Sequence, residues 1–382
     1  MLNGSISIGF PYIANRFGGS NISSLVLAKT LQARGHRVVV LAHGSGRMID
    51  ETRNAGIEIV ELAPLSSMDG PQRDRARLGD YLALSSCLRT IQRLKLQIVH
   101  TNDLAMLRTW ALPTSLSKAM LVAHWRSNYV KSHSVNFGLR LARKVISVSQ
   151  YSKDALPKWA QRKTDVIYNP FGLFFSEEQR TAARKTVRLR LGIPDNAAIL
   201  GVFGYHTVRK RTHLLADTLQ TLTHTADGRP IYGLACGERA EPYDTELYRK
   251  VAEYSLEKRL LMPGFVRPVE EWMAACDIVL APAEKEPFAR NVLEAQGLGI
   301  PVIVSSDGGL REWVEDGNTG DLLDPKDISV WIARIRLRLD DAAGSATIAK
   351  NAQIKIKTLS PESHTHKIES IYQHLLSRES GG

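Results

Sequence analysis

Cysteine is scarce in this chain of 382 residues: Cys87, Cys236 and Cys276 are three, odd in number and far apart. That excludes a disulfide framework and a Cys-x-x-Cys metal or redox site, and it fits a reducing compartment. Long apolar runs are missing as well. No stretch approaches the roughly 20 residues of a spanning helix, and the opening from Met1 to Ile6 has no basic segment ahead of an apolar core, so neither export nor membrane spanning is expected. No repeat of the roughly 20 to 50 residues that builds a solenoid is visible. Acidic residues are few at the start: residues 1–170 hold 10 Asp and Glu against 23 Lys and Arg, a balance of +13, while residues 171–382 hold 29 against 27, a balance of −2. The whole basic excess of +11 therefore lies in the first part, which should attract nucleic acid, anionic lipid or an anionic small molecule.

What is present describes a globular protein, with 43% hydrophobic and 23% charged residues and a length that suggests two cores. Ile6 to Phe10, Val38 to Ala42, Gly56 to Glu61, Gln97 to Thr101, Leu121 to Ala123, Val145 to Val148 and Asp165 to Tyr168 read as strands, with helical spacing between several of them. After Asn169-Pro170-Phe171-Gly172 comes a polar, basic stretch to Arg190. The alternation then restarts with Ile199 to Phe203, Pro230 to Cys236, Arg259 to Met262, Ile278 to Pro282 and Pro301 to Ser305. Strand and helix in turn imply two α/β units, each with a parallel sheet covered on both faces. Ile368, Ile371, Tyr372 and Leu375 after Pro361 form an amphipathic terminal helix.

The stretch from Asp277 to Gly320 carries the most chemistry. A strand ends in Pro282-Ala283-Glu284-Lys285-Glu286-Pro287-Phe288, and a helix with Glu294 in its early turns follows, which is where open α/β sheets bind ligands. Glu286 and Glu294 could accept hydrogen bonds from sugar hydroxyls beside a phosphate site, or could be solvated residues flanking a helix start. Gly308-Gly309, after the next strand, could let the backbone approach a ligand or could make a tight turn. Arg209-Lys210-Arg211, after Gly204, could neutralise a leaving diphosphate or be a solvated loop.

The run Glu286-Pro-Phe-Ala-Arg290-Asn-Val-Leu-Glu294-Ala-x-Gly297-x-Gly299-x-Pro301-Val-Ile-Val-Ser, with Gly308-Gly309, Glu312, Gly317 and Gly320 after it, resembles the signature of family 4 glycosyltransferases. The likeness extends through Phe17-Gly18-Gly19-Ser20, Leu31-x-x-Arg34-Gly35-His36-x-Val38-x-Val40, His124, Ser147-Val148-Ser149 and Val166 to Pro170. It implies a retaining enzyme that needs no cofactor and no metal and takes a UDP-, GDP- or ADP-sugar as donor. The implied fold is GT-B: two Rossmann-like domains with parallel sheets facing across a cleft. Residues 1–170 with the terminal helix 361–378 would bind acceptor, and residues 171–360 the donor. By the same resemblance Glu294 would hold the nucleotide ribose and Glu286 the donor sugar. Backbone N–H groups of Phe288, Ala289 and Arg290 would hold the sugar or diphosphate, and Gly18 and Gly19 would lie on the donor side. Lys210 fits the family's diphosphate lysine, and His124 is the candidate for a contact to donor sugar or acceptor. The chain departs from the pattern in having Tyr205-His206 where the family commonly has Arg, so that Arg209 is the candidate substitute. It departs again in having Asn102 where many members carry a second His.

Other classes fit less well. A dinucleotide fingerprint is missing after the first strand, where Phe10-Pro11-Tyr12 precedes Gly18-Gly19, which sets an NAD enzyme aside. The basic residues are interleaved with aliphatic side chains rather than stacking aromatics, and nucleic acid is not an expected partner. Arg73, Arg75 and Arg77, with Arg140, Arg143 and Lys144, are read as an acceptor or membrane side. This predicts a cytoplasmic protein, peripheral on the inner face of the cytoplasmic membrane, serving lipopolysaccharide or another bacterial surface polysaccharide through a glycan or lipid-linked acceptor. The other reading of that basic face is a solvated surface. Two rival functions remain on the same fold: a non-catalytic nucleotide-sugar binder and a sugar-nucleotide epimerase.

Overall fold

Strands buried on both faces read as near-continuous apolar runs, and the sheets are built of such strands. The computed structural model describes residues 4–15, 17–65, 78–128, 131–172, 175–239 and 245–379. The chain divides into two units, Met1–Pro170 with Leu359–Gly382, and Phe171–Thr358.

Among the described residues the first unit has seven strands: β1 (Ser7–Ile13), β2 (Arg37–His43), β3 (Glu58–Leu62), β4 (Ile98–Thr101), β5 (Met120–Trp125), β6 (Lys144–Ser147) and β7 (Thr164–Val166). They pair in parallel in the order β3-β2-β1-β4-β5-β6-β7. Alternate residues feed two apolar layers. One gathers Ile8, Phe10, Tyr12, Val38, Val40, Ile98 and Val122 beneath Leu27 and Leu31 of the helix Gly19–Ala33, together with Ile368 and Tyr372 of the terminal helix Pro361–Glu379. The other gathers Val39, Leu41, Val99, Leu121 and Val145 with Trp110 and Leu139. The terminal helix is tied down further by Glu369, which accepts from Arg34 Nε at 2.9 Å and lies 2.8 Å from His36 Nε2.

The second unit repeats the scheme with β8 (Ala198–Phe203), β9 (Ile231–Cys236), β10 (Leu260–Gly264), β11 (Ile278–Ala281), β12 (Val302–Ser305) and β13 (Asp321–Leu323). Their order is β10-β9-β8-β11-β12-β13, again parallel. Cys87, Cys236 and Cys276 are free and buried.

Three local expectations need correction. His124 lies within β5, because the strand runs to Trp125 rather than stopping at Ala123. β13 has only three residues and follows a turn at Gly317 to Gly320, so no alternation announced it. The polar, basic stretch before Arg190 is the helix Glu177–Leu191. Ser176 and Gln179 form its capping box, Glu177 and Glu178 stand at its start, and Gly192 ends it at φ 64°. It shows no apolar stripe because arginines share its inward face with a single buried aliphatic, Val187. Arg180 donates to the carbonyls of Leu298 and Gly299, Arg184 to Asp277, and the 2% exposed Arg188 to Asp277 and the carbonyls of Pro194 and Asp195.

Candidate functional site

In the second sheet the chain moves outward from β8 on one side and from β11 on the other, so the carboxyl ends of these neighbours form a topological switch point. Two loops meet there. The one leaving β8 passes Gly204, whose φ of 130° suits only glycine, and tightens into a 3₁₀ turn over Val208–Lys210. The one leaving β11 turns at Lys285 and reaches Glu286. The Glu284 N–H donates to the Arg209 carbonyl at 3.0 Å, which fastens the loops together.

Glu286 is 7% exposed, and its Oε2 accepts from Lys210 Nζ at 2.8 Å and Arg209 Nη1 at 2.6 Å. Burial alone would push its carboxyl up, but Lys210 and Arg209 overcome that and hold it down at about 2. Arg211 donates to Glu284 at 2.7 Å. The basic triplet is therefore a set of paired cations on a loop still open to solvent at Arg209, and Lys210 and Arg209 share one carboxylate.

Glycine after β12 serves close approach of one backbone to another. Gly308 bridges to Glu286, the Gly309 N–H donates to the Glu286 carbonyl at 2.8 Å, and a Cβ at Gly308 would fall 2.4 Å from that oxygen.

The helix Arg290–Gly297 carries Glu294, which is 6% exposed and accepts from Arg290 Nε at 2.7 Å. Burial raises its carboxyl pKa against the pull of Arg290. Neither Glu286 nor Glu294 is a solvated surface residue. Phe288 and Ala289, at the helix start, are buried too. Asn291, which sequence reasoning passed over although it lies inside the motif, donates from Nδ2 to the Phe203 carbonyl at 2.8 Å and pins this helix to the end of β8.

The first unit holds a second polar cluster. His100 of β4 and His124 of β5 are buried on the layer that faces the terminal helix. His100 Nδ1 lies 2.5 Å from the Tyr372 hydroxyl, and His100 Nε2 lies 3.1 Å from His124 Nδ1. Arg126 donates to His124 Nδ1 at 3.2 Å, to Asn102 Oδ1 at 3.3 Å and to Asn169 Oδ1. Of these, only His124 was singled out from the sequence. Asn102, standing where many relatives have a histidine, instead supports Arg126, and His100 supplies the imidazole beside His124. Arg126 stands two residues from His124, but Tyr372 showed only as part of an apolar face.

The remaining expected site residues are scattered. Gly18 precedes the helix Gly19–Ala33, and its N–H donates to Asn21 Oδ1 at 3.2 Å. Arg140 is exposed, with its guanidinium 4.8 Å over the Trp159 ring, and Arg143 is exposed. Lys144 is half-buried and pairs with Asp165 at 2.7 Å. Arg73, Arg75 and Arg77 lie outside the described residues. Among the described residues no three His, Cys, Asp or Glu side chains gather in a group able to hold a metal ion, and no helix is long and apolar enough to cross a membrane.

Residues 183–355 match the family described as Glycosyl transferases group 1, and residues 17–172 match Glycosyltransferase Family 4. The chain is 30% identical over 207 residues to a D-inositol 3-phosphate glycosyltransferase of Corynebacterium efficiens, covering 52% of this chain and 48% of that protein. It is 27% identical over 204 residues to the lipopolysaccharide core biosynthesis mannosyltransferase LpsB of Rhizobium meliloti, covering 52% and 56%. The chain thus spans about half the length of the curated relatives it matches. In fold it is similar to Anabaena Alr3699/HepE, solved in complex with UDP-glucose, at a TM-score of 0.81 and 24% identity over 97% of this chain and 100% of the other. With one match on each of its two parallel α/β units, the chain belongs to glycosyltransferase family 4 and has the GT-B fold.

Proposed function

We propose that this chain transfers a sugar from a nucleoside-diphosphate sugar to a glycan or lipid-linked acceptor, with retention of anomeric configuration and without a required metal, in the synthesis of bacterial lipopolysaccharide or a related surface polysaccharide. The observation that carries the reading is the Arg209–Lys210–Glu286 group at the switch point. A leaving diphosphate gains negative charge as the sugar departs, and Lys210 with Arg209 would meet that charge where a metal ion otherwise would. Glu286 would contact the donor sugar hydroxyls and Glu294 the ribose, with the backbone of Phe288 to Arg290 holding the sugar or diphosphate. Attack on the face from which the diphosphate leaves, with a donor phosphate oxygen taking the acceptor proton, would give retention. The UDP-glucose complex of Alr3699/HepE and the lipopolysaccharide core mannosyltransferase LpsB, as similar proteins, support donor class and pathway.

Thermal unfolding with UDP-, GDP- and ADP-sugars tests the donor: at about 100 times its dissociation constant the right one should stabilise by roughly 2.7 kcal/mol. An inverted anomeric product, or activity abolished by EDTA and restored by Mg²⁺ or Mn²⁺, would overturn the mechanism. Hydrolysis or isomerisation of labelled donor in place of transfer would favour the epimerase.

The first unit is proposed to rest against an anionic bilayer that carries the acceptor. Arg140 and Arg143 are exposed, and Phe137, on the same helix as Arg140, is 50% exposed. Each basic residue near such a surface would contribute about 1 kcal/mol. Lys144, held by Asp165, would contribute less. Co-sedimentation at low salt should rise with anionic-lipid content, and its absence even at roughly one-third anionic lipid would remove the membrane from the proposal while leaving the transferase intact.

A further inference from the structure

The hydrogen positions in the histidine cluster follow from one group that can only donate. A guanidinium has no lone pair to offer, so Arg126 Nη2, 3.2 Å from His124 Nδ1, requires that nitrogen to be an acceptor. A neutral His124 then carries its proton on Nε2. His100 Nε2, 3.1 Å from the same Nδ1, faces a lone pair and so presents its own N–H there, sharing that lone pair with Arg126, which leaves His100 Nδ1 as an acceptor. The Tyr372 O–H, 2.5 Å away, supplies that last bond. Each assignment forces the next, from Arg126 to His124, to His100, to Tyr372. The far end of the chain of bonds is His124 Nε2, buried, with no hydrogen-bond partner among the described residues. An N–H shut away from water without an acceptor is costly, and here it is presented by a side chain that three others hold in place.

We infer that Arg126, His100 and Tyr372 are positioning residues that keep His124 a neutral imidazole protonated on Nε2, so that His124 offers an oxygen of the substrate a hydrogen-bond donor and does not act as a base. Naming a substrate oxygen as the acceptor rests on the transferase reading above; the protonation pattern does not. The groups facing His124 all favour this state. Arg126 flanks it on β5's own exit, and His100 faces it from β4. From the terminal helix His364 stacks on it with ring centroids 6.2 Å apart, and Tyr372 stands behind His100. Tyr12 belongs to the same surroundings through Arg126 and Tyr372, and Asp103 acts on Tyr12. His364 is itself neutral in this arrangement: its Nδ1 donates to the Tyr168 carbonyl at 2.9 Å, and burial and Arg126 hold its pKa at about 3. Burial first, then Arg126, keeps His100 and His124 well below the ordinary histidine range, and burial keeps the Tyr372 hydroxyl protonated.

Long-range proton–nitrogen spectra of the whole protein labelled with ¹⁵N-histidine read the pattern directly. The His124 signals, identified by their loss in His124→Gln, should show a protonated Nε2 and a bare Nδ1, unchanged from about pH 5.5 to 8, the window in which an unperturbed histidine titrates. Tyr372→Phe keeps the ring and removes only the O–H, so it should leave His100 protonated on Nε2 with its Nδ1 lone pair unpartnered, seen as a shift of that nitrogen alone. Arg126→Gln removes the group that can only donate, so it should let His124 sample both tautomers while burial still keeps the ring neutral. Kinetics form the second arm. His124→Ala should lose activity by about 100-fold and His124→Gln, which keeps an N–H at the ε position, should recover part of that loss, with the pH profile of the wild type. A His124 protonated on Nδ1, or charged within that window, overturns the inference. Equal loss in Gln and Ala variants, with a new pH limb, does so as well. If the spectra show the pattern and no sugar transfer is found with any donor, it is the transferase reading that fails.

Discussion

Lys210→Ala should lower turnover about 10²–10³-fold, a loss of roughly 3–4 kcal/mol of transition-state stabilisation, while the fold survives. The fold survives because Arg209 still reaches Glu286 Oε2 at 2.6 Å, so the buried carboxylate keeps a cation. Turnover falls because the charge on a departing diphosphate grows along the reaction, and a cation held in place needs no reorganisation to meet it. Glu286→Gln should lose a similar factor for a different reason. The amide keeps the shape but releases Lys210 and Arg209 from the one carboxylate that sets their positions. Glu294→Ala, by contrast, should mainly raise the donor KM, since a ribose contact is the same before and during the reaction. Single-turnover rates with saturating donor, alongside melting temperatures, separate these outcomes. Wild-type kinetics in all three variants at unchanged stability would mean that the donor site lies elsewhere.

Asp277→Ala should cost about 3 kcal/mol of stability, the lower end of what removing one partner of a buried ion pair costs, because Arg188 is 2% exposed but the carboxylate itself is 22% exposed. Asp277 Oδ2 accepts from the Ile199 N–H at 2.7 Å and lies 3.2 Å from Arg188 Nη2, and Oδ1 accepts from Arg184 at 2.8 Å. The carboxylate thus joins β8, the start of β11 and the helix Glu177–Leu191. Without it the Arg188 charge, on a side chain 2% exposed, has lost its carboxylate and cannot reach water without unpacking the helix. A fall in melting temperature of roughly 10 °C is expected for a unit of this size. Arg53→Ala is the control: its 2.8 Å pair with Glu61 stands in solvent, with side chains 61% and 54% exposed, and such pairs contribute within about 1 kcal/mol. Equal melting shifts for the two variants would show that burial is not what makes the Asp277 cluster matter.

The sequence by itself determined the two parallel α/β units and the switch-point motif. Parallel strands must be apolar on both faces, so β1, β2, β8 and β11 stand out as short apolar runs, and the spacing between them leaves room for helices. The motif from Glu286 to Gly309 was legible because its parts are contiguous: one loop, one helix and one strand carry them all. The helix Glu177–Leu191 was not legible, although its caps are written plainly, because periodicity counts apolar side chains and this helix buries arginines against carbonyls and a carboxylate. The state of Glu286 was likewise a matter of tertiary structure. A carboxylate in one loop and a basic triplet in another can each be solvated or buried, and only the meeting of the loops after β8 and β11 makes Glu286 the shared partner of Lys210 and Arg209. The histidine relay lies furthest from the sequence. His100, His124, Arg126 and Tyr372 come together because strand register sets the two imidazoles on one layer and the terminal helix returns a tyrosine to it. Contacts of that kind depend on register and docking, which no local pattern of residues encodes.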